Sequence, residues 1–301
     1  MGLPDKVSIV EVGPRDGLQN EQQLIPAALK IALVERLVEA GVRHIEAASF
    51  VSPRWVPQMA TSAEVMAGIR RKAGVVYSAL TPNMQGYQDA VAANCQEVVI
   101  FGSASEAFSQ KNINCSIAES IERFRDVAEA ARRDHIRLRG SISCAFGCPY
   151  QGAVTAQDVA DVVRRLAELG CDDIDIADTI GAGTPRHVQQ VMDVVARAFP
   201  IAHLSGHFHD TYGQALANIY AAMEVGVAVF HASVAGLGGC PYAKGATGNV
   251  ATEDVLYMMQ GLGVETGIDL EQVVDAGRFI SQHLGREVGS RAGRAIAARR
   301  K

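Results

Sequence analysis

Two histidines separated by one residue, His207 and His209, form the sequence feature best suited to chemistry. Alternate side chains of a strand point to the same face, so both imidazoles would act together. Imidazole nitrogens bind Mn, Co, Zn or Fe, and oxygens such as those of Asp16 and Asn249 suit an octahedral divalent cation that a substrate can chelate. The alternatives are two hydrogen-bonded core histidines, a turn aspartate before Gly17 and an asparagine that caps a helix.

Three further side chains have types that fit acid–base or electrostatic work. Arg15 adjoins Asp16, so it forms a local ion pair or contacts a substrate. Glu46 stands among apolar neighbours, and a buried carboxylate needs a partner. Cys240 lies in a glycine-rich loop, where a thiol with a tuned pKa can act as acid or base. Structural roles are predicted for the remaining candidates: His44, His231, Cys144 and Cys148.

Eight short Val/Ile-rich runs would position these side chains. Amphipathic stretches separate them, as at 26–41, where Leu29, Leu33, Leu37 and Ala40 share one helical face. Gly41, Gly170 and Gly226 each follow such a stretch, as glycines that end helices do. The runs are 7–13, 43–50, 75–80, 97–102, 137–144, 172–178, 202–209 and 228–237.

This alternation predicts an α/β fold, a closed (β/α)8 TIM barrel. We expect a single domain over 1–301, with the barrel at about 7–265 and an extra C-terminal helix in an extension at about 266–301. Active sites of such barrels lie at the carboxyl ends of the strands, where the residues above are found. The fold hosts many chemistries and does not decide the function.

Composition excludes several classes of function. The net charge of −5 and the pI of about 5.9 argue against nucleic acid as a partner. No run of 18 apolar residues is present, so a membrane partner is not expected. The amino terminus lacks the pattern of a targeting signal, and the six cysteines form no CxxC pair. These features predict a cytoplasmic protein.

The motifs resemble the 3-hydroxy-3-methylglutaryl-CoA (HMG-CoA) lyases, a family within the metal-dependent TIM-barrel lyases and Claisen-type synthases. RDG with HxHD is typical of the wider group, and SVAGLGGCPYAKG is far more specific to the lyases. The resemblance covers about residues 7–285. It is carried by VEVGPRDGLQNE (10–21), SFVSPRWVPQM (49–59), SASEAFSQKNINCS (103–116), CAFGCPYQG (144–152), ADTIGAGTP (177–185), HFHDTYGQALAN (207–218) and SVAGLGGCPYAKGATGNVATED (233–254).

The resemblance implies divalent-metal-dependent cleavage of (S)-HMG-CoA to acetoacetate and acetyl-CoA, in leucine and ketone-body metabolism. It implies an acyl-CoA substrate, a homodimer, and Mg²⁺ or Mn²⁺ as cofactor. Arg15 would contact the substrate carbonyl and stabilise the enolate. Cys240 and Glu46 would be catalytic, Cys240 as the acid, and Asp178 or a histidine such as His207 would be the base. The implied metal ligands are Asp16, His207, His209 and Asn249.

Two departures from the family lie close to the predicted site. Asp175 stands where the lyases carry a serine, and Phe208 replaces a smaller residue between the histidines. An inward-pointing Asp175 would add charge near the pocket and alter the acyl group accepted. The alternatives are therefore a lyase for a longer branched 3-hydroxyglutaryl-CoA ester, a related synthase or aldolase, and a non-catalytic scaffold barrel.

Overall fold

The computed structural model describes residues 2–239 and 248–300, and within them eight parallel strands close into a barrel. Each strand pairs with its neighbours in sequence, and β1 closes the barrel against β8 with Val10 opposite His231. The predicted TIM barrel is therefore confirmed, and each predicted run overlaps one strand, with β4 extending one residue beyond its run. The strands β1 to β8 are Ser8–Glu11, His44–Ser49, Val76–Leu80, Glu97–Ser103, Arg137–Ser143, Asp173–Asp178, Leu204–Phe208 and Val229–Ala232.

Helices surround the barrel with their apolar faces turned inward. In α1, Leu33 and Leu37 are fully buried, Ala40 at its end is buried and Leu29 is partly buried. Full burial of each leucine contributes about 1.5–3 kcal/mol. In the described residues the helices α1 to α12 are Ala27–Glu39, Ser62–Gly68, Met84–Ala92, Glu106–Ile113, Ile117–Arg123, Arg125–Arg133, Ala156–Leu169, Pro185–Val195, Ala215–Glu224, Thr252–Leu262, Leu270–Leu284 and Arg291–Arg299.

Glycines end several helices just before the next strand, as the sequence predicts. Gly41, Gly170 and Gly226 have φ of 106°, 95° and 101°. Gly170 is the C-cap of α7 in the left-handed conformation, which a side chain would strain.

The C-terminal extension contains two helices rather than the one predicted. Gly285, with φ of 64°, ends α11, and the Ser290 hydroxyl starts α12 by accepting the N–H of Gly293 at 2.8 Å. Helix α11 packs against α1, and α12 packs against α10 and α11. No helix in the described part of the chain combines the length and the apolar character needed to cross a membrane.

The barrel interior contains charged side chains in layers that branched aliphatic side chains usually fill. Glu46, Glu97, Arg139 and Asp175 are each at most 2% exposed. Arg139 donates from Nε to Glu97 at 3.0 Å, from Nη1 to Asp175 at 3.2 Å and from Nη2 to Glu46. The three buried carboxylates thus share one guanidinium, and Glu46 and Glu97 have second cationic partners in Arg15 and Arg137, which reduces the cost of their burial.

Candidate active site

The turn after β1 places Arg15 and Asp16 at the carboxyl end of the barrel. Its first residue, Gly13, donates its N–H to the buried carboxylate of Glu11 at 2.8 Å. The same carboxylate accepts the N–H of Val234 at 2.9 Å and the hydroxyl of Thr252 at 2.7 Å. Glu11 therefore fastens the turn to the segments that follow β8.

Arg15 and Glu46 form a largely buried ion pair. The guanidinium donates from Nε and Nη2 to Glu46 Oε1, and Nη1 lies 2.9 Å from Asp16 Oδ1. Arg139 holds the other oxygen of Glu46. Burial raises the pKa of Glu46, but the two guanidiniums outweigh it, so the pKa lies below its usual value and the carboxylate stays ionised. The expected partner of this buried carboxylate is therefore present.

The predicted metal ligands lie together above this pair. One oxygen or nitrogen from each of Asp16, His207 and His209 falls within 4.8 Å of the others. Asn249 joins them, donating from Nδ2 to Asp16 Oδ2 at 2.7 Å and to the carbonyl of Leu237 at 3.2 Å. Helix α10 begins after Ala251 without a side-chain cap, so the capping role considered for Asn249 is not the one it plays.

The electrostatics of this group suit a cation. Burial lowers the pKa of His207 to about 4 and also lowers that of His209, so both rings are neutral near pH 7. Burial raises the pKa of Asp16, but Arg15 and the two histidines outweigh it, and the pKa falls to about 2. The set offers one ionised carboxylate and two imidazoles with free lone pairs, which is what a divalent metal requires.

One observation tests the fit of a divalent cation. The Nδ1 atom of His209 is buried and has no hydrogen-bond partner among residues 2–239 and 248–300, so it is available as a ligand.

Asp175 points into the barrel, as considered above, but it does not present a free charge to the pocket. Its carboxylate contacts Arg139 at 3.2 Å and accepts the Ser141 hydroxyl at 2.8 Å. Burial raises its pKa to about 6, with Arg139 acting against that rise. Arg139 therefore pairs with the negative charge of Asp175 below the metal-ligand group.

Asp178 and Phe208 lie on the opposite side of their strands from the interior residues, and they are paired in register. The Asp178 carboxylate accepts the N–H groups of Ala182 at 3.0 Å and Gly183 at 2.8 Å, and it orders the loop after β6. Phe208 packs against Phe146, with ring centroids 5.7 Å apart. The structure does not bring Asp178 to the metal-ligand group, and Phe208 does not line the barrel interior.

Sequence reasoning missed the roles of Arg139 and Glu97. The signal was available, because both are charged residues at inward positions of predicted barrel strands, as Glu46 is. His44, expected to be structural, bonds to Glu97 at 2.9 Å. Cys144 and Cys148 are buried thiols, as expected. Cys240 lies outside the described residues.

The buried carboxylate of Glu253 holds the segment after β8 in place through hydrogen bonds. Ala235 has a left-handed φ of 57°, which costs a non-glycine residue about 1–2 kcal/mol. Its N–H donates to both oxygens of Glu253, at 3.0 and 2.9 Å. The N–H of Gly289 bonds to its carbonyl at 2.9 Å. Glu253 thus holds the turn that leads toward Asn249.

We expect the variant Glu253→Gln to flatten the pH dependence of stability. Burial, opposed by backbone hydrogen bonds, raises the pKa of Glu253 to about 8 from an ordinary 4.5. The folded state therefore binds a proton more tightly than the unfolded chain. Its contribution to stability is complete below about pH 4.5 and is lost as the pH rises through about 8.

Thermal unfolding at pH 5, 7 and 9 checks this expectation. The difference in Tm between Glu253→Gln and the unmodified chain should shift in favour of the variant by several degrees as the pH rises. For a chain of this size, a change of about 1 kcal/mol in the free energy of unfolding moves Tm by about 2–4 °C. Glu64→Gln, at an exposed glutamate of α2, serves as the matched control and should give a parallel profile. Parallel profiles for Glu253→Gln as well would contradict the assignment.

Comparison with known proteins adds four findings. The model of the HMGL-like family matches residues 6–280. A Pseudomonas aeruginosa protein named 3-hydroxy-3-isohexenylglutaryl-CoA/hydroxy-methylglutaryl-CoA lyase is 58% identical over 99% of this chain and 100% of its own. The mitochondrial hydroxymethylglutaryl-CoA lyase of Gallus gallus is 55% identical over 97% of this chain and 98% of its own. A crystal structure of hydroxymethylglutaryl-CoA lyase from P. aeruginosa superposes with a TM-score of 0.98, at 58% identity and 99% and 100% coverage.

Proposed function

Because the chain belongs to the HMGL-like family and is a carbon–carbon lyase, we propose that it cleaves (S)-HMG-CoA to acetoacetate and acetyl-CoA. The observation that carries the proposal is the approach of Asp16, His207 and His209 to within 4.8 Å of one another, with the Arg15 guanidinium at 2.9 Å from Asp16. A metal-ligand set beside a fixed positive charge fits a reaction in which an alkoxide and then an enolate develop.

The reaction requires three events on the substrate. A base removes the proton of the 3-hydroxyl group. The C2–C3 bond then breaks, its electron pair passes into the thioester as an enolate, and the former hydroxyl carbon becomes the ketone of acetoacetate. An acid finally delivers a proton to C2 of the enolate, which gives acetyl-CoA.

Arg15 is assigned to the enolate oxygen. Glu46 holds its Nε and Nη2 atoms, so the guanidinium is oriented before the substrate arrives. Such a preorganised donor contributes about 2.7–4 kcal/mol to the transition state. Because both oxygens of Glu46 are bonded to guanidiniums and its pKa is lowered, we assign Glu46 to the orientation of Arg15 rather than to proton transfer.

The cofactor is proposed to be Mg²⁺ or Mn²⁺, held by Asp16, His207, His209 and Asn249. When bound, it supplies Lewis-acid chemistry to oxygens of the substrate. The protein keeps both rings neutral through burial, so no proton competes for their nitrogens near pH 7.

Two proton transfers complete the reaction. Cys240 is the proposed acid that protonates the enolate. Of the two candidates for the base, the contacts favour neither: His207 directs one ring nitrogen at His231 and would give the other to the metal. The oxygens of Asp178 already accept backbone N–H groups on the other side of β6.

A longer branched 3-hydroxyglutaryl-CoA ester is a second candidate substrate. Its support is the name of the P. aeruginosa relative, which includes a 3-isohexenyl ester beside the methyl one. Asp175 is neutralised by Arg139 and Phe208 lies outside the barrel interior, so neither departure argues against the methyl ester.

The experiment is to follow acetyl-CoA release by the purified protein from each ester in turn. Treatment with EDTA should abolish release, and added Mg²⁺ or Mn²⁺ should restore at least half of the original rate. The ratio of kcat/KM for the two esters ranks the substrates. Absence of acetyl-CoA from both esters, in protein that binds Mn²⁺, would overturn the proposed reaction and leave the metal site standing.

The homodimer, the cytoplasmic location and the place in leucine degradation remain predictions. Size-exclusion chromatography with light scattering tests the first of them.

A further inference from the structure

The unassigned contact closest to the site joins two histidines. Nδ1 of His207, in β7, lies 3.2 Å from Nδ1 of His231, in β8, and both rings are buried. The ring centroids are 5.2 Å apart and the planes are inclined by 66°, so the rings meet edge to face rather than stacked. A contact of 3.2 Å between two nitrogens requires one to donate and the other to accept.

The metal site decides which nitrogen donates. A histidine that binds a metal needs a lone pair on the ligating nitrogen and carries its proton on the other one. Nδ1 of His207 is committed to His231, and Nε2 takes part in no hydrogen bond among residues 2–239 and 248–300. Nε2 is therefore the nitrogen left for the metal, and Nδ1 carries the proton.

We propose that His231 is a positioning residue for the metal site, whose Nδ1 accepts the Nδ1–H of His207 and so fixes His207 with Nε2 unprotonated. The inference rests on the proposed metal ligands and deepens them, because it adds a residue beneath that set. Partners of this kind orient metal-bound histidines and set their tautomer.

The proton of His231 then resides on Nε2, where acceptors are at hand. The hydroxyl oxygen of Ser205 lies 3.4 Å from Nε2. A carboxylate oxygen of Asp175 groups with the nitrogens of His207 and His231 within 4.8 Å. Ser205 and His231 thus form a hydrogen-bonded chain to His207, and Asp175 lies close beside it.

The charged layer below also contacts the His231 ring. Nη1 of Arg139, which can only donate, lies 3.4 Å from Nδ1 and 3.1 Å from Nε2. In the proposed tautomer Arg139 shares the lone pair of Nδ1 with His207, whereas the opposite tautomer would offer it the lone pair of Nε2. Arg139 is itself fixed by Glu46, Glu97 and Asp175. The choice between the two tautomers of His231 is made by His207, whose Nε2 must stay unprotonated to bind the metal.

An isosteric pair of variants separates this role from simple packing. Asn and Leu have the same branched shape, but only Asn offers an oxygen that can accept the Nδ1–H of His207. His231→Leu should weaken Mn²⁺ binding about 10–100-fold, the usual effect of losing such a partner. His231→Asn should stay within about threefold of the unmodified protein. His44→Leu is the control, since His44 bonds to Glu97 and not to His207.

Electron paramagnetic resonance of free Mn²⁺, titrated into metal-stripped protein, measures these affinities without any assay of activity. Equal affinity of His231→Leu and the unmodified protein would overturn the inference while leaving the lyase proposal intact. Equal weakening by Leu and Asn would overturn it too, since shape rather than the acceptor would then matter. Failure of the unmodified protein to bind Mn²⁺ would remove the metal site itself.

A measurement on the unmodified protein covers the case in which His231→Leu does not fold. Long-range ¹H–¹⁵N spectra of histidine-labelled protein with Mg²⁺ should show His207 protonated on Nδ1 and His231 protonated on Nε2. Protonation of His231 on Nδ1 would overturn the inference.

Discussion

Replacing Arg15 by methionine is expected to lower kcat about 100- to 1,000-fold and to change KM by less than about threefold. The size follows from the loss of one preorganised donor to a developing oxyanion, about 2.7–4 kcal/mol. The effect falls on kcat because the charge on the thioester oxygen develops only after the C–C bond begins to break. Steady-state kinetics of acetyl-CoA release measures both constants.

Two features of the site make Arg15→Met a clean test. Glu46 keeps its second guanidinium partner, Arg139, so the buried carboxylate is not left unpaired. Arg70→Met removes an exposed arginine that pairs with Glu35 on α1, and it should leave both constants unchanged. A rise in KM with kcat preserved would assign Arg15 to substrate binding alone and contradict the enolate role.

Replacing Asp16 by asparagine is expected to remove the bound metal and, with it, almost all activity. Asp16 is the one carboxylate in its group with the two histidines, and its pKa of about 2 keeps it ionised. Asparagine has the same shape without the charge. Loss of a residue that only hydrogen-bonds to a metal ligand lowers metal affinity by up to roughly 100-fold, and loss of the ligand Asp16 itself should lower it by more. Elemental analysis after gel filtration in Mn²⁺, together with kcat, tests this expectation.

The matched control is Asp161→Asn, at an exposed aspartate on α7 that pairs with Arg164. It should retain the metal content and the kcat of the unmodified protein. Full metal content in Asp16→Asn would remove Asp16 from the ligand set. Loss of activity with the metal retained would point instead to its contact with Arg15.

The barrel was predictable because each local signal agrees with the fold. Val/Ile-rich runs become strands, and Gly41, Gly170 and Gly226 adopt the left-handed conformations that end helices. The spacing of His207 and His209 places both on one side of β7, and the bridge between His209 and Asn249 brings the loop after β8 to them. The grouping of the candidate ligands follows from strand parity and barrel closure.

The remainder depends on information that local patterns do not carry. Asp178 was a candidate because it ends a strand. Alternate residues of a strand point to opposite faces, and Asp178 lies three residues after the inward-pointing Asp175, so its side chain points outward and bonds to the N–H of Gly183. Arg139 stands at an inward position of its predicted strand, but the sequence does not show which residues face it across the barrel interior. Only the closed barrel reveals that three carboxylates from different strands surround it.

The contact between Asp16 and Asn249 spans 233 residues, and it lies across the seam at which β1 meets β8. A cation bound there would join the first and last segments of the barrel. By mass action, a ligand at 100 times its Kd stabilises the folded state by about 2.7 kcal/mol. The metal would then stabilise the pairing of β1 with β8, which closes the barrel. Its removal should raise the rate of amide hydrogen exchange first in these two strands.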